Sequence, residues 1–332
     1  MTYQQYGTIQ ASDYNGYVGA DPTSVANTLN AVIGIGNGRS GVGQTAVPQV
    51  QGNNSTFKVT NEQWNLLINN IQNIASHQGS TVTPISITAD GQLISAYMTL
   101  STPPASIFAN NLNTIYTNRN NAAAQGSTTT DTRQYTTSWK NALTFTHTIT
   151  FESGDKARYF FNAGGQIALS FSHPAGTDMN NLWNQLATAC GTITLSAVNS
   201  GTQTIAGTVF NGITRIGGSG TPATLATNTG YYALTTTDQS VFKMLATTGP
   251  SGYLSSFIDV KIKTNGAQGS YGSTGSIITI TTVWDEVPNG TTTAKGLSGP
   301  NSTVTCVVRS PSSSYLSPSW GNFTVTSAVT GS

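Results

Sequence analysis

The sequence predicts an α+β chain: a helical N-terminal part followed by an antiparallel β-sandwich or jelly-roll-like domain with one inserted helix. Three observations carry this. Apolar residues recur at helical spacing over 60–74 and 106–116, the period falls to two from residue 143, and the rest of the chain holds short β-branched stretches separated by Gly, Asn, Ser and Pro clusters. The expected organisation is a mixed helical attachment and assembly part over 1–125, a linker over 126–138 and an antiparallel β domain over 139–332.

The first helix is expected over 24–33, where Val25, Leu29, Val32 and Ile33 share a face and Asp21-Pro22 supplies a start. It runs into GIGNGRSGVG, whose Gly36, Gly38 and Gly41 spell the G-x-G-x-x-G string of dinucleotide sites. That motif needs a strand before it and a helix after it, and here a helix precedes and a polar loop follows. A glycine-rich stop is the better reading.

Thr60 and Gln63 form an S/T-x-x-E/Q capping box ahead of Trp64, Leu67, Ile68, Ile71 and Ile74. Trp64, Leu67, Ile68 and Ile71 are the candidate assembly face, to be buried against another subunit or the β domain. Ile107, Phe108, Leu112, Ile115 and Tyr116 repeat the helical period over 106–116. Between these helices ITADGQLISAYMTL reads as strand material with a turn at Asp90-Gly91, and Pro103-Pro104 marks a boundary. Residues 118–135 are small and polar without apolar period, as in a linker or long loop.

From Leu143 to Phe151 apolar residues alternate with threonines, which predicts a half-buried strand with His147 on its inner row. The next stretch, ITFESGDKARYFFNAGGQI, is read as a hairpin: a strand ending at Phe151, a turn over 152–155, a second strand over 156–161 and a break at 162–165. Arg158, Tyr159, Phe160, Phe161, Gly164 and Gly165 are its signature residues. Doubly apolar, the second strand would be buried on both faces, with Arg158 paired to Glu152 or Asp155 or stacked on Phe160. Further strands are expected over 166–172, 192–197, 203–210, 231–236, 255–263, 276–284, 303–309 and 323–329. The inserted helix begins at Thr177 or Asp178 and carries Met179, Leu182, Trp183 and Leu186 on one face. No fixed-period repeat, heptad or Gly-X-Y tract is present.

Charged residues are only 8% of the chain, against roughly 25% in ordinary soluble domains. Thr, Ser, Asn, Gln and Gly must therefore clothe the surface. Thirteen basic and twelve acidic residues, without a like-charge block, offer nothing to neutralise a phosphate backbone, so nucleic acid is not an expected partner. The N-terminus lacks the features of a signal peptide, and no apolar run approaches the roughly 20 residues that span a bilayer, so membrane insertion is not expected. Cys190 and Cys306 sit in apolar strand-like contexts and read as buried free thiols.

The chemistry-bearing inventory is thin. His77, His147 and His173 do not stand at metal-ligand spacing, Ser219 and Ser251 miss the second glycine of a nucleophile elbow, and the neighbouring Asp285 and Glu286 of a strand end point to opposite faces. No catalytic residue, metal or cofactor is expected. Tyr231, Tyr232, Tyr253, Tyr271 and Tyr315, with Trp284 and Trp320, lie in or beside glycine-rich loops and are candidates for stacking on a host glycan or receptor.

ITFESGDKARYFFNAGGQI resembles a segment recurring in virion structural proteins of tailed bacteriophages. The likeness is to tail-fibre-like and baseplate-associated proteins of contractile-tailed cyanophages and related marine phages, with their ARYFFN-G-G-I string. NTLNAVIGIGNGRSGVGQ, WNLLINNIQNIASHQGS, FSHPAGTDMNNLWNQL and TTVWDEVPNG share that resemblance. It implies a non-enzymatic particle component without catalytic residues, located in the virion tail and synthesised in the host cytoplasm. Its implied partners are other tail or baseplate proteins and further copies of itself, a homotrimer being favoured. Alternatives are a host-glycan adhesin, a capsid decoration or neck protein, and a polysaccharide depolymerase.

Overall fold

The computed structural model describes residues 11–19, 28–50, 59–85, 107–199, 201–290 and 294–331. The expected start of the first helix, the strand material over 87–100 and Pro103-Pro104 lie outside these residues.

Among the described residues, four helices lie in the N-terminal part: α1 (Ala11–Val18), α2 (Leu29–Ile33), α3 (Asn61–Gln78) and α4 (Ile107–Thr117). The start of α3 is fixed locally, since the Thr60 hydroxyl accepts from the Gln63 amide while the Gln63 side chain accepts from the Thr60 amide. Its end is equally local: Gly79 adopts the left-handed conformation, φ 64°, which a glycine tolerates without Cβ strain. The apolar stripe of α3 packs on the other helices, with the Trp64 ring 4.7 Å from Phe108 and 6.3 Å from Tyr14. Trp64, Leu67, Ile68 and Ile71 are thus buried within the chain, at most 1% exposed. The expected partner is corrected on this point: α2 and α4 of the same chain, with Tyr14 of α1, cover the stripe in place of another subunit or the β domain.

The β part is a sandwich of two antiparallel sheets. One has the order β14-β3-β12-β11-β10-β9 and the other β2-β13-β4-β5-β8. The strands are β2 (Thr128–Tyr135), β3 (Ala142–Phe151), β4 (Gln166–Ser172), β5 (Thr192–Leu195), β8 (Ile213–Ile216), β9 (Thr224–Leu225), β10 (Gln239–Leu245), β11 (Phe257–Thr264), β12 (Ile277–Asp285), β13 (Ser302–Arg309) and β14 (Phe323–Gly331). The chain changes sheet between β2 and β3, β3 and β4, β8 and β9, β12 and β13, and β13 and β14, which gives the strands the winding of a jelly roll. At the sides β14 approaches β2, and β8 approaches β9. A small third sheet joins β1 (Asn121–Ala122), parallel to β6 (Gln203–Ile205), with β7 (Thr208–Phe210).

The period-two pattern is realised most fully in β3, where Leu143, Phe145, His147, Ile149 and Phe151 are buried and the intervening threonines are half-buried. Trp139, Trp183 and Trp284 fill the core beneath it, with ring centroids 4.9 and 5.7 Å apart in succession. Trp183 comes from α6 (Asp178–Cys190), which buries Met179, Leu182, Trp183 and Leu186 and packs on β4 while reaching β10 and β11 of the opposite sheet. One hydrophobic cluster runs without interruption from Tyr14 and Trp64 to these tryptophans.

Several expectations are corrected. Residues 156–161 are not the second strand of a hairpin but belong to a helix, α5 (Gly154–Asn162), so two helices are inserted among the strands. The Ser153 hydroxyl caps it, accepting from the Lys156 amide at 3.2 Å, and Asp155 sits in its positive first turn. Ala157 to Asn162 are buried at every position, which imitates a strand covered on both faces. The linker also contains structure: Thr128–Tyr135 pairs along its whole length with β13. It lacked an apolar period because an edge strand of threonines leaves most of its side chains in water.

The segment 231–236 is no strand. Tyr231–Ala233 is a 3-10 turn that sends the Tyr231 ring into the core. The strand β10 was missed because a bulge between Ser240 and Phe242 buries the consecutive Val241 and Phe242 and breaks the alternation. The span 203–210 divides into two strands at Ala206 and Gly207, whose φ of 49° and 79° fit a two-residue hairpin turn.

Thr60→Ala removes the side-chain half of the capping box and is expected to cost about 1 kcal/mol. It should lower the urea midpoint without changing the slope. An unchanged midpoint would show that packing alone places the start of α3.

Candidate functional site

Two of the stretches singled out by the sequence, the signature residues and the glycine string, meet where α5 packs on the loop over 34–43. Arg158 is fully buried. Its guanidinium donates to the carbonyls of Gly36, Ser40 (3.3 Å) and Ile35 (2.9 Å) and pairs with Asp155 at 3.0 Å. It lies 4.8 Å from the Tyr159 ring centroid, so the aromatic neighbour is Tyr159 and not Phe160. One turn further on, the Asn162 amide donates to the carbonyls of Gly38 (2.9 Å) and Gly41 (2.8 Å), and its oxygen accepts from the Tyr232 hydroxyl at 2.5 Å.

The loop returns the contact. Arg39 donates to Asn120 Oδ1 at 2.9 Å, to the Arg119 carbonyl at 3.3 Å and to Asn162 Oδ1 at 3.4 Å. Loss of hydration lowers the Arg39 pKa to about 10, and the group remains a cation at neutral pH. The carbonyls of Ile35, Gly36, Gly38, Ser40 and Gly41 therefore face protein donors. A phosphate site requires the opposite polarity, with N–H groups converging on an anion. The loop bearing the G-x-G-x-x-G string is a cradle for Arg158, and close approach restricts it: a Cβ on Gly41 would strike the Gly34 carbonyl, and one on Gly43, just past the string, would strike the Tyr159 ring.

Below the clasp, Phe160 and Phe161 join Phe151, Phe323 and Tyr231 in an aromatic cluster. Phe161 stacks on Tyr231 with centroids 4.5 Å apart, and Phe160 meets Phe323 edge-on at 5.7 Å. Gly164, φ 96°, abuts Ala122 of β1, and a Cβ on Gly165 would strike the Phe160 ring at 2.5 Å. All six signature residues thus serve the packing of a helix, although the hairpin proposed for them does not exist.

The candidate glycan-facing aromatics separate into two groups. Tyr231, Trp284 and Trp320 are buried. Tyr232 and Tyr253 are half-buried, their hydroxyls donating to Gly38 and Asn162 in one case and to the Ala294 carbonyl in the other. Burial raises the Tyr232 phenol to about 12. Tyr271 and Tyr315, 54% and 45% exposed, are the two that present a ring to solvent.

The three histidines lie apart in the fold. His173 makes the one contact with a serine, Nδ1 to Ser302 Oγ at 2.9 Å, with Asn180 Oδ1 3.2 Å from Nε2. Ser302 is fully buried and also accepts from Trp139 Nε1 at 3.1 Å, so its hydroxyl joins β13 to the tryptophan core and has no route to a substrate. His77 ends α3 against the Ala163 carbonyl at 3.2 Å, and burial holds its pKa down to about 4. Glu286 is fully buried with no hydrogen-bond partner in bonding geometry, and desolvation pushes its carboxyl up. Sequence reasoning set it aside as a neighbour of Asp285 at a strand end, because a strand-end carboxylate ordinarily reaches water. Among the described residues no three His, Cys, Asp or Glu side chains gather as a metal site, and no helix is long and apolar enough to cross a membrane. Both cysteines are free and buried, with thiols pushed up to about 12.

No family model, curated protein or solved structure matches the chain.

Arg158→Leu leaves Asp155 and several loop carbonyls without their buried cation and is expected to destabilise the fold by about 3–5 kcal/mol. Chemical denaturation measures this, and a loss below 1 kcal/mol would refute the clasp. Acid provides a second check. The unfolded His77 titrates near 6.5 and the folded one near 4, so the unfolded chain binds the proton first. Stability from this group is complete above about pH 6.5 and declines as pH falls toward about 4, by up to about 3 kcal/mol. His77→Gln should flatten that part of the stability–pH curve.

Proposed function

We propose that the chain is a non-enzymatic structural component of a phage virion, a tail-fibre or baseplate-associated protein that contributes to tail assembly and host attachment. One observation carries the reading: the segment bearing the phage-like string spends its polar atoms and aromatic rings on internal packing. Arg158 and Asn162 bind the 34–43 loop, and Phe160 and Phe161 bind β14 and the Tyr231 turn. Such a segment serves as a scaffold. A chain with 8% charged residues and threonine hydroxyls on the outer face of a sheet is consistent with a particle component working outside a cell.

Oligomerisation, a trimer being favoured, falls to surfaces other than the covered stripe of α3. Host attachment would draw on Tyr271 and Tyr315, and their exposure favours an adhesin role as the second reading.

Localisation on an intact particle tests the proposal. Gold-labelled antibody against this chain should decorate the tail or baseplate, and decoration of capsid or neck would reject that station. Incubation with host polysaccharide separates the rivals: release of reducing ends would identify a depolymerase, and retention without cleavage, lost in Tyr271→Ala with Tyr315→Ala, would identify the adhesin.

A further inference from the structure

β2 and β14 are the outer strands of their sheets on one side of the sandwich, and they meet through side chains. The Ser327 hydroxyl lies 2.8 and 3.0 Å from the two carboxylate oxygens of Asp131. Nearby, a Cβ on Gly331 would come within 2.5 Å of Leu143 and 2.6 Å of the Tyr135 ring, so the end of β14 is fitted closely against β2 and β3.

His147 stands one strand inward from this seam, opposite Ser327 in the β3–β14 ladder. It is fully buried, and neither ring nitrogen has a hydrogen-bond partner. Its row neighbours Phe145 and Ile149 show that an apolar side chain fits this row. A buried polar group left without a partner costs about 1–3 kcal/mol. The histidine is thus the costlier choice for packing, and the position next to a carboxylate gives it a use.

The charged groups acting on the ring are Asp131 and Arg133, both from β2. Ile280 flanks it from β12 and Ser327 from β14, neither of which titrates. On β13, Cys306 opposes Asp131, and burial keeps its thiol protonated, up to about 12.

We propose that His147 makes the β2–β14 seam an acid-sensitive latch: the closed seam accepts the neutral imidazole, and protonation favours a state in which the two edge strands part. In the open state the imidazolium gains water and the Asp131 carboxylate. Burial holds the closed-state group below its ordinary 6.5, so the open state takes up the proton first. The opening constant then rises by up to about tenfold per pH unit below about 6.5, until the closed-state value is reached.

Amide hydrogen exchange on the full chain, corrected for intrinsic pH dependence, is the test. Amides of β2 and β14 should lose about tenfold in protection between about pH 6.5 and 5 while those of the central β11 hold. His147→Leu should abolish the loss, and His147→Gln serves if the leucine variant does not fold. Asp131→Asn keeps an acceptor for Ser327 but removes the charge that favours the imidazolium, so it should move the loss to lower pH. The latch is overturned if seam protection is independent of pH, if β11 opens in parallel, or if the His147 variants open over the same range as the parent.

Discussion

A guanidinium enclosed by protein must find acceptors for its N–H groups, and Arg158 finds them chiefly in the backbone of a loop about 120 residues away. The chain gains a fixed joint between its helical part and its sandwich. Backbone carbonyls can point at a common centre only where the chain turns tightly, which explains the glycines at 34, 36, 38, 41 and 43; Gly38, Gly41 and Gly43 adopt φ of 55°, 83° and 74°. Asp155 supplies the one formal countercharge and is itself held by the Gly272 amide at 2.9 Å, which brings the β11–β12 loop into the same joint. The Arg158 Nε–H alone has no partner. Removing the arginine would therefore leave several elements without the atom that orients them.

The aromatic residues around this joint set the depth of the core. Phe160 and Phe161 project from adjacent positions of α5 and meet at 5.2 Å, nearly perpendicular, each reaching a different partner. Phe160 contacts β14, the last strand, while Phe161 contacts the Tyr231 turn. The order of assembly in space is thus unlike the order in sequence, and the sandwich closes around a helix that the two-layer pattern does not announce.

Where one element's own residues determine its form, the sequence was readable. The Thr60–Gln63 box, the stripe of α3, the alternation of β3 and the bounds of β4 are all local signals, and the structure reproduces them. The failures share a physical cause. In α5, the consecutive burial of Ala157 to Asn162 hides the difference between periods of two and 3.6, and the deciding signal was Ser153 as a cap with Asp155 in the first turn. In β2, exposure erases the pattern from the other direction. In β10 a bulge shifts the register. The site was legible as a set of residues and illegible as a geometry, because nothing in GIGNGRSGVG says that its carbonyls enclose a cation supplied from residue 158.

A chain with so few charges presents polar groups by other means, and the outer face of the larger sheet shows how. Thr148 of β3 stands between Thr279 of β12 and Thr326 of β14, a rank of hydroxyls across three strands, while Thr146 pairs with Thr281 of β12, and Thr144 and Thr150 pair with Thr330 and Thr324 of β14. Threonine satisfies β propensity and hydration together. It does not guard an edge, which proteins usually blunt with lysine, proline or a bulge. β14, TVTSAVTG after its first residue, has no charge or proline, and its pairing with β3 carries no register shift. Asp131 of β2 fills that role from the neighbouring sheet by holding Ser327. The long strand's safety from edge-to-edge pairing thus depends on the seam staying closed, and the ionisable group buried beside that seam is His147.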